Sequence, residues 1–286
     1  MRHCAFKKFG KGTETILFFP AAGFSGMEGE MIADFFQEDY QFYLCNSPGY
    51  GESSGFDRSI KPRAIADWVI NFLDEEKKDQ VHLIGHSAGG FVCLCSAYFY
   101  PNQVKSLTLL DTCHFNLPRL PSEMGKAGIL MPLFSLLSHI FKRKAFSFAG
   151  HYILPTVNDS GTSTTETDFA AFCKWMRLDP SNSFVENAFY HCVLPLKQEA
   201  LPFHLCHYQT NVKKMLFRVQ LPVCLCYASY EDIDQKRAQF EQKNSAAFTA
   251  QSNCDIVKVP GAHYVLWAKE FPLSKLRAFI TNASSR

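Results

Sequence analysis

Val81-His-Leu-Ile-Gly-His-Ser-Ala-Gly-Gly-Phe-Val-Cys-Leu-Cys-Ser-Ala-Tyr-Phe99 is the stretch that decides the fold. An apolar run enters Gly85 and reads as the end of a buried strand. A Gly-x-Ser-x-Gly turn follows, and then an almost wholly apolar segment of buried-helix length. Gly85 and Gly89 let the strand and helix backbones approach where a side chain would collide. In that setting Ser87 stands on a strained turn with its hydroxyl above the sheet, and the helix N-terminus behind it favours negative charge. Ser87 is the candidate nucleophile.

The remaining chain bounds what this unit serves. At 286 residues it exceeds the usual single domain, so one large domain or a core with an insertion is expected. A hydrophobic fraction of 47% excludes a disordered chain, and the 27 phenylalanines imply a large aromatic core or an apolar pocket. Net charge is +2 without a basic block, so no nucleic-acid partner is expected. The 11 cysteines are odd in number and lack metal-like spacing or a disulfide framework. They read as small buried hydrophobes kept reduced, as with Cys93 and Cys95 in the helix and Cys224 and Cys226 along a strand. Met1-Arg-His-Cys-Ala-Phe-Lys-Lys has no apolar run behind its charges, so no secretory signal is expected and the cytoplasm is the default compartment. No stretch is long and apolar enough to span a bilayer.

In chain order, strands are predicted at Thr13 to Pro20, Tyr40 to Asn46, Val104 to Asp111, Pro222 to Ala228 and Cys254 to Val259, besides the one entering Gly85. Pro62 to Glu76 has helical spacing, with Ile65, Trp68, Val69, Phe72 and Leu73 on one side, and Phe271 to Ile280 suits a closing helix. Strands separated by helical segments argue for an α/β architecture, a mostly parallel sheet covered on both faces. Residues 114–215 break that rhythm with helical pieces only. Ser163 followed by Glu166 forms a capping-box pattern opening a helix that contains Phe169, Phe172, Trp175 and Met176. The expected organisation is therefore a core of residues 1–113 and 216–286, with 114–215 inserted as a helical cap over the sheet edge that carries Ser87.

The chain resembles the α/β-hydrolase family, of the serine-nucleophile type with a helical cap inserted after the sixth core strand. The resemblance covers roughly residues 12–113 and 218–282. Its carriers are Pro20-Ala-Ala-Gly, Asn46-Ser-Pro-Gly-Tyr-Gly-Glu-Ser, Gly85-His-Ser-Ala-Gly-Gly and Pro260-Gly-Ala-His. The second is similar to the family's D-x-x-G-x-G-x-S loop, with Asn46 where Asp is usual. The N-terminus leaves room for one strand before Thr13, where the family often has two.

A serine alcohol needs a base, and the base needs an orienting acid. The family's chain order is Ser, then Asp or Glu, then His. Beyond Ala228 the remaining histidine is His263, after a short strand and a Pro-Gly turn, so it is the candidate base. For the acid the resemblance implies a position three residues past the strand-end glycine. That is Glu231 if Ala228 replaces the glycine. Asp232 competes through a one-residue shift, and Asp111 ends the preceding strand, from which some family members draw their acid. The loser is expected to be a solvated carboxylate at the start of a helix from Ile233 to Phe248. The oxyanion donors implied are the backbone N–H groups of Ala88 and Ala22, with Pro20 standing where the family usually has histidine. His86 reads as part of the turn, His82 as a strand residue, and His204 and His207 as cap surface without a metal's ligand set. Neither a metal nor an organic cofactor is implied.

Lys126 to Phe141 is apolar and is followed by Lys142-Arg-Lys144. Pro132 is expected to break or kink it, and it is too short to cross a membrane. It reads as a cap segment roofing an apolar pocket, and alternatively as an interfacial lid making transient contact with a membrane surface through residues 126–144. The expected function is a cytoplasmic serine esterase, lipase-like, acting on a small ester with an apolar acyl or alcohol group. Thioester, amide or carbon–carbon bond cleavage on the same residues is the alternative within the enzyme class. A non-catalytic ligand-binding protein of the same fold is the alternative outside it.

Overall fold

The computed structural model describes residues 3–117, 126–152, 154 and 165–284. Its strands are β1 (Phe6–Phe9), β2 (Glu14–Phe19), β3 (Tyr40–Cys45), β4 (Val81–His86), β5 (Val104–Leu110), β6 (Val223–Ala228) and β7 (Cys254–Val259). They form one seven-stranded sheet in the order β1-β3-β2-β4-β5-β6-β7. Among the described strands only the β1–β3 pair is antiparallel. The expected mostly parallel sheet is present, and among the described residues β1 is the one strand ahead of β2.

The helices of the first half are α1 (Glu30–Phe36), α2 (Pro62–Glu75) and α3 (Ala88–Phe99). Between β5 and β6 come α4 (Lys126–Phe141), α5 (Arg143–Tyr152), α6 (Glu166–Met176), α7 (Ser183–His191), α8 (Leu201–Gln209) and α9 (Val212–Leu216), with no strand among the described residues there. The chain closes with α10 (Gln235–Ala246) and α11 (Leu273–Ser284).

Strand periodicity sorts the core into two layers. Leu17, Phe19, Leu83, Leu107 and Leu109 face α2 and α3, whereas Ile16, Phe18, Ile84 and Leu110 face α1 and α11. Two-sided burial explains why β2 and β4 read as continuous apolar runs rather than alternating ones. α3 is buried on all sides from Ala88 to Ala97, which its uniformly apolar sequence requires.

Two local expectations change. Helix α4 runs on through Pro132 instead of breaking there. Helix α6 starts at Glu166, and its capping box is made by Thr165 and Asp168, each side chain bonding the other's backbone N–H. Ser163 lies outside the described residues.

The helices between β5 and β6 are tied to the loops above the sheet. Ser25 N donates to Cys192 O at 2.7 Å, Leu194 N to Gly23 O at 2.7 Å, and Phe56 N to Glu199 O at 2.9 Å. Phe91 of α3 stacks on His207 of α8, with ring centroids 4.4 Å apart.

The backbones of β2 and α3 come into near-contact at Gly89. A Cβ there would lie 2.1 Å from the Phe19 carbonyl oxygen, and one on Gly85 would lie 2.5 Å from the Gly90 Cα. Backbone atoms cannot move aside as a flexible side chain would. Gly89→Ala should therefore lower unfolding free energy by about 3 kcal/mol, read as a lower denaturation midpoint at unchanged slope.

Candidate active site

β4 ends at His86, and the chain turns into α3 through Ser87, whose φ of 51° and ψ of −116° are strained for a residue with a side chain. Three hydrogen bonds hold the turn. Ser87 N donates to Leu110 O at 3.1 Å, Thr112 Oγ1 donates to Ser87 O at 2.7 Å, and Gly90 N donates to Ser87 O at 3.1 Å. The residue between Leu110 and Thr112 is thereby fixed beside the Ser87 turn.

That residue is Asp111, also at positive φ (49°). Its Oδ2 accepts from His263 Nδ1 at 2.7 Å and its Oδ1 from Ala228 N at 2.9 Å. The carboxylate is fully buried while the His263 side chain is 32% exposed, so the open edge of the ring faces away from the acid. Burial by itself raises the Asp111 pKa. The hydrogen bond and charge of His263, the nearby His114 and the Ala228 N–H outweigh this and hold it below the ordinary value.

Glu231 does not meet His263. Its side chain is 59% exposed and pairs with Lys258 at 2.9 Å. Tyr230, at φ 52°, turns the loop after β6 so that Glu231 points to solvent. Asp232 is exposed as well, and Asp234, not Glu231 or Asp232, caps α10 through hydrogen bonds from Lys236 N and Arg237 N. The preference for Glu231 is thus corrected. The third of the acids read from the sequence is the one against the histidine.

His86 joins the two halves of the site. Its ring lies 4.8 Å from that of His263, centroid to centroid, and its Nε2 bonds His263 O at 2.9 Å. Ser87 is next in sequence, and its Oγ makes no hydrogen bond among the described residues.

The Ala88 N–H is the first of α3 and has no intrahelical acceptor. In the loop after β2, Ala21 N is already bonded to Glu28 Oε2 at 2.7 Å, whereas the exposed Ala22 has an uncommitted N–H among the described residues. Asn46 braces this region from below, its Oδ1 accepting from Gly26 N at 2.8 Å. The walls beside His263 are aromatic. Tyr264 lies 5.7 Å from Phe24 and 5.4 Å from Phe172 of α6, and it stacks on Trp267 at 5.0 Å.

Two buried pairs were not foreseen. Glu28 and His86 bond at 2.9 Å with both side chains fully buried. His114 Nε2 bonds Glu241 Oε2, again with both buried, and Arg237 reaches the second Glu241 oxygen at 2.6 Å. Glu28 stands between glycines and Glu241 in a polar helix, so no apolar pattern marks either as interior. His207 is buried against Phe91 rather than on the cap surface, and half-buried His204 bonds Tyr50 at 2.6 Å. Burial pushes them down to about 3 and about 4, respectively, so both are neutral.

Asp111, His114 and Glu241 are close enough to share an ion. Their lone pairs already serve His263, Ala228 N and Arg237, and His114 Nδ1 faces the Thr112 carbonyl. No helix among the described residues is long and apolar enough to cross a membrane.

A model of the alpha/beta hydrolase fold matches residues 15–134. Over 108 residues, 37% of this chain, the sequence is 32% identical to the dihydrolipoyllysine-residue acetyltransferase component of the acetoin cleaving system of Cupriavidus necator. Over 77 residues, 27% of the chain, it is 32% identical to a Mycoplasma genitalium protein named as an esterase/lipase. These matches span 28% and 29% of the relatives' own lengths. A thermophilic esterase from Thermogutta terrifontis superposes over 99% of this chain and 94% of its own, with a TM-score of 0.65 at 14% identity. Sheet order, serine turn and these likenesses agree, and the chain has the alpha/beta hydrolase fold.

Proposed function

We propose that the protein is a serine hydrolase of carboxylic esters, working through an acyl-enzyme on Ser87. The observation that carries this reading is the 2.7 Å bond between His263 and buried Asp111, made on loops that also hold the Ser87 turn. With Asp111 accepting at Nδ1, the free Nε2 of His263 is the basic nitrogen. It takes the Ser87 proton as Oγ attacks the ester carbonyl. The imidazolium so formed is stabilised by Asp111, which keeps its negative charge. Oxygen charge developing on the tetrahedral intermediate meets the N–H groups of Ala88 and Ala22. His263 then protonates the departing alcohol, and a water deprotonated by the same ring releases the acid. Residues 114–215 act as the cap, and Phe24, Phe172 and Tyr264 favour an apolar acyl or alcohol group. A short stretch related to an esterase/lipase points the same way. Free thiols on all the cysteines fit a cytoplasmic setting.

Thioesters, amides and carbon–carbon bonds meet the same residues, and a panel of acyl esters of rising chain length beside the matching thioesters ranks them. A ligand-binding protein without catalysis is the reading from another class. Fluorophosphonate should label Ser87, and an intact, folded protein that takes no label favours the binder.

One observation favours a membrane-surface component. Leu133, Leu136, Ile140 and Phe141 of α4 and Phe148 and Tyr152 of α5 are each more than half exposed. Residues 126–152 contain no Asp or Glu, and Lys142 and Lys144 flank Arg143, which reaches Asp57 at 3.5 Å. Apolar side chains beside unbalanced positive charge suit an anionic lipid surface.

Three outcomes follow from these assignments. Ser87→Ala should lower kcat/KM on a p-nitrophenyl ester by about 10⁴- to 10⁶-fold and abolish labelling, and full retained activity defeats the assignment. Asp111→Asn should cost about 10⁴-fold, mainly in kcat, while Glu231→Gln keeps wild-type turnover, and the reverse result restores Glu231 as the acid. Co-sedimentation with vesicles should be stronger for phosphatidylglycerol-containing than for purely phosphatidylcholine membranes. It should weaken in salt and be lost in the Leu136→Glu/Ile140→Glu double variant. Equal sedimentation of that variant removes the membrane reading.

A further inference from the structure

Glu28 is a fully buried carboxylate that the proposed reaction leaves without a task. It lies on the turn Gly26–Gly29, and each of its oxygens is engaged. Oε2 accepts from Ala21 N at 2.7 Å, in the loop that presents the Ala22 N–H. Oε1 lies 2.9 Å from His86 Nδ1. The other ring nitrogen of His86 lies 2.9 Å from the His263 carbonyl oxygen. One carboxylate and one imidazole therefore link three separate loops: that of the oxyanion donors, the serine turn, and that of the general base.

With Glu28 ionised, proton counting defines the state this chain of bonds requires. A carbonyl oxygen only accepts, and so does a carboxylate. Both nitrogens of His86 face such atoms, so both ties are satisfied when the ring carries two N–H groups. A neutral imidazole has one N–H for two acceptors, and either choice points a lone pair at an oxygen. We propose that Glu28 and His86 form a buried imidazolium–carboxylate clamp that positions the His263 loop against the Ser87 turn and the Ala21–Ala22 loop. Both are positioning residues that touch no reacting atom, and the inference rests on the serine-hydrolase reading of the same site.

The charged groups around His86 agree with that state. Glu28 faces it from the turn before α1, Asp111 from the loop after β5, and His263 and Tyr264 from the loop after β7. Burial and Glu28 push the Tyr264 phenol up, so it stays neutral. Burial by itself pulls the His86 pKa down. The Glu28 charge and hydrogen bond, the His263 carbonyl and Asp111 outweigh it, and the value stands above the ordinary 6.5. A group whose pKa rises on folding contributes stability that is fully present below its unfolded value and is lost as pH climbs through the folded one. The clamp is closed below pH 6.5 and loosens as pH climbs through the raised His86 value.

Glu28→Gln tests this with little change of shape. The Gln oxygen accepts from Ala21 N, its amide donates to Nδ1 of a neutral His86, and the remaining Nε2–H still serves His263. The variant closes the clamp without charge. Wild-type kcat/KM should fall on the alkaline side, above pH 6.5, with loss of one proton, and Glu28→Gln should move that limb up by about one pH unit or more or remove it. Glu28→Ala, which breaks all the ties, should lower kcat by about 10- to 100-fold with a smaller change in KM. An alkaline limb shared unchanged by wild type and Glu28→Gln overturns the proposal. Nitrogen-15 spectra of the imidazoles decide the same point without turnover. Below pH 6.5 His86 should show two protonated nitrogens in the wild type and one in Glu28→Gln, and a singly protonated His86 in the wild type there overturns the clamp. If the wild type neither hydrolyses esters nor takes a fluorophosphonate label, the hydrolase reading fails and the spectra still judge the clamp.

Discussion

The near-contact of the α3 backbone with the sheet is the constraint from which the other features follow. With Gly89 set against the Phe19 carbonyl, there is no room for a relaxed strand-to-helix connection. The chain turns within one residue, and that residue takes the strain. Ser87 at φ 51° is held there because the Leu110 carbonyl, the Thr112 hydroxyl and the apolar packing of α3 over-determine its position. Strain of this kind persists only where the surroundings outweigh it.

The other strained residues around the site show how far this extends. Asp111, Cys113 and Tyr230 have positive φ values of 49°, 64° and 52°, at the ends of the two strands next beyond β4. A tight bend after β5 keeps the Asp111 carboxylate over the sheet, where Ala228 N and His263 share it. The bend at Tyr230 has the opposite consequence and sends Glu231 outward to Lys258. Which strand end supplies the partner of His263 is thus a matter of two backbone turns, not of which carboxylates are available.

Polar burial is concentrated in this same layer. Glu28–His86, Asp111–His263 and Glu241–His114 are three carboxylate–imidazole pairs in which every carboxylate is fully buried. A buried charge is costly unless paired and hydrogen-bonded, and removing one partner leaves the other exposed to that cost. Backbone donors and acceptors complete the sets, including Ala21 N, Ala228 N and the carbonyls of Thr112 and His263. Groups held this way keep a single geometry, which a site with aimed donors and acceptors requires.

By itself the sequence determined the alternation of strands and helices, the turn at Ser87 and the run of helices before β6. Apolar periodicity and glycine spacing are local properties, and a parallel sheet buried on both faces leaves its mark in continuous apolar runs such as Ile16 to Phe19. His263 was legible because so few histidines follow the last strands. The choice among Asp111, Glu231 and Asp232 was not, because all three sit at strand ends and only the φ values at Asp111 and Tyr230 separate them. Glu28 and Glu241 were invisible for a related reason. A lone carboxylate among glycines or on a polar helix looks solvated until the fold brings an imidazole from a distant segment against it. Pairing between residues far apart in the chain has no local signature, so the tertiary structure alone decided it.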